Sequence, residues 1–155
     1  MVMTTPPMAR FRVAMNAVIE RDGRYLLARR RDIGWWHLIG GGLEYGETIQ
    51  QGLLREVREE IGVSIDILRL VGVYMKPQKQ EVVLAFLCHL AADTAEPKAS
   101  EEITEIGWFV TDHLPQPLLP KHRERLLDAA EDRRETVVKA QTTSTGEDQG
   151  MSGGN

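Results

Sequence analysis

Three glutamates, Glu56, Glu59 and Glu60, stand within about one and a half turns of a helical pattern in the stretch REVREEIG, residues 55–62. Apolar positions recur at Ile49, Leu53, Val57 and Ile61, with Leu54 beside them, so one stripe packs and the carboxylates cover the adjoining arc. Gly52 falls in that arc, one turn before Glu56. A glycine inside a helix costs about 1 kcal/mol relative to alanine, and here it clears side-chain atoms from beside the acids; the expectation is that something needs the room. Left alone, the charges oppose the helix. Glu59 and Glu60 lie near the negative end of the helix dipole, each disfavoured by about 0.3–1 kcal/mol, and Glu56 repels Glu60 at i,i+4. A solvated face with an Arg55–Glu59 pair would be the simpler account of an isolated charge-rich helix. Gly52 and the run Gly40, Gly41, Gly42 favour a hard divalent cation instead. Oxygen-only donors suit Mg²⁺ or Mn²⁺, which join a few carboxylates to substrate phosphate oxygens.

The elements that must position these residues follow from pattern and punctuation. Residues 11–20 and 24–30, separated by Arg-Asp-Gly, read as two strands of a hairpin-like unit. Residues 31–47 read as a loop whose three adjacent glycines permit unusual dihedrals or close backbone approach. Thr48 and Gln51 stand in capping-box relation, which starts the helix at Thr48, and Gly62 fits the position just past its end. Residues 64–75, 81–90 and 105–110 are strand-like, and a second helix is expected from about Lys121 to Arg134. Strands interspersed with two separated helices predict an α/β domain with helices covering a mixed sheet.

The 155 residues, 42% hydrophobic and 27% charged, suit one domain with a single substantial core. Domain boundaries are expected at residues 1–10 for a flexible N-terminal segment, 11–135 for the domain, and 136–155 for a polar, Thr/Ser/Gly-rich tail left mobile. A formal charge of -4 excludes a basic field that would grip a long nucleic acid. No window offers the roughly 18 apolar residues of a membrane helix, and Met1–Arg10 lacks a signal peptide's apolar core. A single cysteine, Cys88, fits a reducing compartment, so a cytoplasmic location is the expectation.

The stretch from Gly41 to Val63 resembles the Nudix box, G-x5-E-x7-R-E-U-x-E-E-x-G-U with U a bulky aliphatic residue, and matches it at Gly41, Glu47, Arg55, Glu56, Val57, Glu59, Glu60, Gly62 and Val63. The resemblance extends from about Phe11 to Pro115. It implies an α/β/α sandwich, with a central mixed sheet flanked by helices, that hydrolyses a pyrophosphate bond in a nucleotide with Mg²⁺ or Mn²⁺. By the same resemblance Glu56, Glu59 and Glu60 are metal ligands, joined by the Gly40 carbonyl, and one of the glutamates is expected to orient or deprotonate the attacking water. Glu47 and Arg55 would form the ion pair holding loop to helix. Ile39 stands where many relatives carry proline, and Gly52 where they commonly carry alanine. A homodimer is also an expectation of this kind.

Outside the box, Glu101, Glu102 and Glu105 are candidates for a further catalytic glutamate, with Glu102 preferred. Trp35 and Trp36 are of the type that stacks a base, although a Trp beside a glycine loop is at least as often a core or loop anchor. Arg29, Arg30 and Arg31 are of the type that meets phosphates, although a solvated strand end is the simpler account; Arg30 and Trp36 are the substrate-binding candidates. His89, His113 and His122 lack ligand spacing and are assigned no chemistry. The substrate is expected to be a nucleoside diphosphate linked to another group X, such as a nucleotide sugar or ADP-ribose-like compound, or a nucleoside triphosphate. Two alternatives are a prenyl-diphosphate isomerase, which would need a proton donor such as Cys88, and a non-catalytic nucleotide-sensing module.

Overall fold

The computed structural model describes residues 5–132 and 135–142. Residues 5–10 are exposed and carry no regular structure. Eight strands and two helices follow: β1 (Arg12–Arg21), β2 (Arg24–Arg30), β3 (Trp36–His37), β4 (Ile39–Gly42), α1 (Ile49–Ile61), β5 (Ile65–Lys76), β6 (Glu81–Leu90), β7 (Ile103–Phe109), α2 (Pro120–Ala130) and β8 (Val137–Ala140). Between β1 and β2 the chain reverses through Asp22 and Gly23, both at positive φ, as a two-residue hairpin turn requires.

The sheet is mixed. Its order is β3-β2-β1-β6-β5-β8, with β4 paired to β1 and β7 to β2; β1 runs parallel to β6, and β5 parallel to β8. Strand alternation sends Met15, Ala17 and Ile19 of β1 to one face, where they pack with Leu53, Val57 and Ile61 of α1. Ala14 and Val18 face the other way, into a core shared with Leu126 and Ala129 of α2. This two-sided packing is the helix–sheet–helix sandwich that the sequence implied, and the two helices bury opposite faces of one strand. Among the described residues no helix is long and apolar enough to cross a membrane.

Three expectations change. The stretch 31–47 is not a plain loop: β3 and β4 lie within it, and the glycine run is itself a strand, with Gly40, Gly41 and Gly42 opposite Asn16, Met15 and Ala14. Glycine-rich composition hid a strand whose pairing depends on the missing side chains. Helix α2 starts one residue early, because Pro120 suits the first helical position, and stops at Ala130 where Glu131 turns extended. Arg134, the expected end, lies outside the described residues. The polar tail contains β8, with Val137 seated on Gly72 and Gln141 buried; four strand residues need little apolar content when the ladder supplies their hydrogen bonds.

Candidate active site

Helix α1 is fixed at both ends by its own sequence. The Thr48 hydroxyl accepts from the Gln51 amide while the Gln51 side chain accepts from the Thr48 amide, and Gly62 closes the other end in the left-handed conformation. Leu53, Val57 and Ile61 are fully buried, which orients the carboxylate arc towards β4. At Gly41 of that strand an added Cβ would lie 2.5 Å from the Glu56 carboxyl, so only glycine lets that side chain come up against the backbone.

Arg55 organises the acids. It grips Glu47 with two bonds, Nε to Oε2 at 2.7 Å and Nη2 to Oε1 at 2.9 Å, and also donates to the Gly42 carbonyl at 3.0 Å, tying helix to glycine strand. Its Nη1 donates to Glu56 at 3.0 Å and Glu59 at 3.3 Å, and Glu44 lies 3.5 Å away. The pairing holds the Glu47 carboxyl below its ordinary range. Glu56 is only 6% exposed, and burial pushes its pKa up against the pull of Arg55. Glu60 is raised well above the ordinary value, first by desolvation and then by Glu56; the Gly40 amide, 3.4 Å away, works the other way, and Glu102 adds repulsion. Glu59 stays exposed.

Among the described residues no three His, Cys, Asp or Glu side chains form a ready metal cluster. The donor set nevertheless fits a hard dication. Glu44, Glu47, Glu56 and Glu59 share one guanidinium, an excess of three negative charges before Glu60 is counted, and the desolvated Glu56 and Glu60 each favour a nearby positive charge.

Two cavities of about 580 Å³ each meet here. One holds the Glu56, Glu59 and Arg55 side chains; the other runs inward between β1, β4 and α2; Glu60, Glu101 and Glu102 border both. Glu102 thus lines the same junction as Glu60. Glu101 offers its carbonyl to Arg31, and Glu105 pairs with Arg29 at 3.1 Å, outside both cavities. Arg30 lines the inner cavity with its guanidinium held by Asp32, whose carboxyl that contact lowers.

Two functional expectations fail. Trp36 is no stacking platform: it is 6% exposed, packs edge-on against Phe109 with centroids 5.1 Å apart, and borders neither cavity. Its place in β3 turns it into the α2-side core. Gly52 does not clear room for a ligand either. It is buried, and an added Cβ would meet the Met15 Cε at 2.7 Å and the Leu43 Cδ1 at 2.9 Å. The glycine serves helix-to-strand packing.

The inner cavity is lined by polar residues that spacing did not reveal, among them Asn16, His37, Lys76, His122 and Arg125. Asn16 carried one signal, a polar residue within the apolar run VAMNAVI; the others come from distant elements. Arg125 is 2% exposed and donates to Asn16 at 2.9 Å and to the buried Gln141.

Against this geometry, the model of the NUDIX domain matches residues 10–130. The chain belongs to the NUDIX family. A MutT-like protein of Streptomyces ambofaciens is 37% identical over 126 residues, covering 81% of this chain and 80% of the relative. An ADP-ribose pyrophosphatase of Methanocaldococcus jannaschii is 32% identical over 109 residues, 67% of this chain and 64% of that protein. Among solved structures, an ADP-ribose pyrophosphatase from Streptococcus suis superposes with a TM-score of 0.72 at 25% identity, covering 82% of this chain and 98% of its own. With the complete box in place, the chain is a Nudix pyrophosphohydrolase, of a family that generally works with a divalent metal on small nucleotide substrates. Cys88, the one candidate acid for isomerase chemistry, is fully buried in the α1-side core, and burial pushes its thiol up to about 12.

Proposed function

We propose that this Nudix enzyme hydrolyses the diphosphate of a nucleoside diphosphate linked to a second group, of the ADP-ribose kind, in the cytoplasm. One observation carries the reading: the acid-lined cavity and the inner cavity share Glu60, Glu101 and Glu102, so a diphosphate against the carboxylates leaves its attached group at the mouth of a space large enough for a nucleoside. The names of the archaeal and streptococcal relatives point to the same substrate class.

Glu56, Glu59 and Glu60, with the Gly40 carbonyl, would hold Mg²⁺ or Mn²⁺. A dication there supplies charge neutralisation and Lewis acidity to the diphosphate. The chain's own residues do the rest. Arg55, clamped by Glu47, fixes helix to glycine strand and so sets where the carboxylates point. Arg30, at the cavity wall, would meet a phosphate oxygen in exchange for Asp32. Glu102, which shares the junction with Glu60 and repels it, would take a proton from the attacking water.

The test is a product analysis with Mg²⁺ across ADP-ribose, nucleotide sugars and nucleoside triphosphates. The expected result is AMP and ribose 5-phosphate from ADP-ribose, abolished by EDTA and restored by Mg²⁺. Release of pyrophosphate from triphosphates alone would replace this reading with a triphosphatase, and nucleotide binding without turnover would replace it with a sensing module.

A further inference from the structure

His37 and His122 take no part in the hydrolytic site, yet both line the inner cavity, both are only 7% exposed, and their rings meet edge-to-face with centroids 6.2 Å apart. Each ring uses one nitrogen on the same residue. The His122 Nδ1 accepts from the Leu38 amide at 3.0 Å, so its proton sits on Nε2. The His37 Nδ1 lies 2.5 Å from the Leu38 carbonyl and must donate to it, which leaves a lone pair on Nε2. Neither Nε2 has a hydrogen-bond partner among the described residues. Burial keeps both rings neutral at pH 7, the His37 pKa falling to about 4 and that of His122 well below its ordinary value, so the two tautomers do not blur into a pair of donors.

An unsatisfied donor and an unsatisfied acceptor side by side in a cavity are a costly arrangement unless something completes them. The cavity says what that something is shaped like. Its lining joins the acid and arginine junction, the apolar Met15, Leu38, Val83 and Leu119, and the two buried histidines. A ligand with phosphate at one end, a flat apolar body, and a donor next to an acceptor on its far edge answers all three features.

We propose that His37 and His122 read the hydrogen-bonding edge of the substrate's nucleobase, His37 as acceptor and His122 as donor. The inference rests on the nucleotide reading of the site and adds to it a specificity. An acceptor and a donor in fixed order separate 6-amino from 6-oxo purines, because adenine presents an amino donor beside the N1 acceptor whereas hypoxanthine presents a carbonyl acceptor beside an N1–H donor. The wrong base leaves both histidine nitrogens facing like groups.

Affinities for the α,β-methylene analogues of ADP and IDP, measured by calorimetry with Mg²⁺ so that no turnover is needed, test this directly. Wild type is expected to separate the two by tenfold or more. His37→Asn and His122→Asn retain an atom for the Leu38 bond but lose the reach of Nε2, and each is expected to bring the two affinities within about threefold; His122→Gln, which restores a donor at that reach, recovers part of the separation. Equal affinity of wild type for the two analogues, or an unchanged separation in the Asn variants, overturns the base reading alone. A wild type that binds neither overturns the nucleotide assignment and this inference together. Should the Asn variants not fold, ¹⁵N-histidine spectra of wild type decide: Nε2 of both rings is expected to shift on adding the ADP analogue, and unmoved signals refute the contact.

Discussion

Arg55 is the residue on which the acidic arc depends, and it is also the reason the arc is tolerable without a cation. It satisfies Glu47 in a bidentate pair and shares its remaining donors between Glu56 and Glu59, but it does not reach Glu60, whose oxygen is met by an amide at a distant 3.4 Å. Glu60 is thus the carboxylate with most to gain from a dication. Glu60→Gln is expected to lower kcat by about 10²-fold, since it removes a negative charge that would hold the dication neutralising the diphosphate. The same change relieves repulsion with Glu56, so the metal-free variant should melt at or above the wild-type temperature. A variant that lost stability and kept its rate would reverse the assignment. The buried histidines make a second residue-scale prediction. With the His37 pKa at about 4 in the fold against 6.5 when unfolded, the unfolded chain binds the extra proton between those values, so stability falls as pH drops through that window and levels off below it. The loss from this ring amounts to about 3 kcal/mol by pH 4, at about 1.4 kcal/mol for each pKa unit. Urea titrations at pH 7 and pH 5 should show a smaller pH loss in His37→Asn than in wild type.

At the scale of elements, two glycines that look alike in sequence have opposite roles. Gly41 of β4 faces the Glu56 carboxyl, and Gly52 of α1 faces the ends of Met15 and Leu43. Flexible side-chain tips can shift by tenths of an ångström, and alanine is the better helix former by about 1 kcal/mol, so Gly52→Ala is expected to leave both stability and rate within about 1 kcal/mol of wild type. Gly41→Ala has no such escape. The added methyl displaces Glu56 from the strand, and the rate should fall by at least about tenfold while the fold survives. Parallel kinetics and melting curves on the two variants check this contrast; equal effects would mean that the close approach of strand and carboxylate is incidental. The helix ends behave as their sequence says, Thr48 with Gln51 and Gly62 each doing the capping their types favour. Those signals are local, with all partners inside a few residues. The role of Gly52 is not legible in its own helix, because what it touches comes from β1 and from the residue after β4.

For the whole molecule, legibility divides along sequence separation. The box residues Gly41 to Val63 are contiguous, so their chemistry is legible in their spacing; the alternation of strands and helices gives a mixed sheet covered by helices, and the sandwich itself is what the resemblance to the box implies. The inner cavity is assembled from Asn16, His37, His122 and Arg125, which approach one another only when β1, β3 and α2 pack, and no periodicity links them. Strand β8 shows the same limit most clearly, since its composition reads as tail while its position completes the sheet. It pairs with β5 from Gly72 to Met75, Gln141 closes the ladder on the Met75 carbonyl at 2.8 Å, and Lys139 and Tyr74 converge on Asp128 of α2. From there Gln141 accepts from Arg125, and Arg125 donates to Asn16 in the cavity wall, so the end of the described chain supports the wall of the inner cavity. Gln141→Ala is expected to cost about 1–3 kcal/mol by removing a buried acceptor from a guanidinium, and ending the chain after residue 135 should cost more. Because Arg125 holds Asn16 on the wall of the inner cavity, the kinetic signature should be a raised KM with kcat nearly kept, the reverse of Glu60→Gln. Urea titration and steady-state kinetics on the two chains would show it. A truncated chain with unchanged KM would mean that β8 stabilises the sheet alone and that the cavity stands without it.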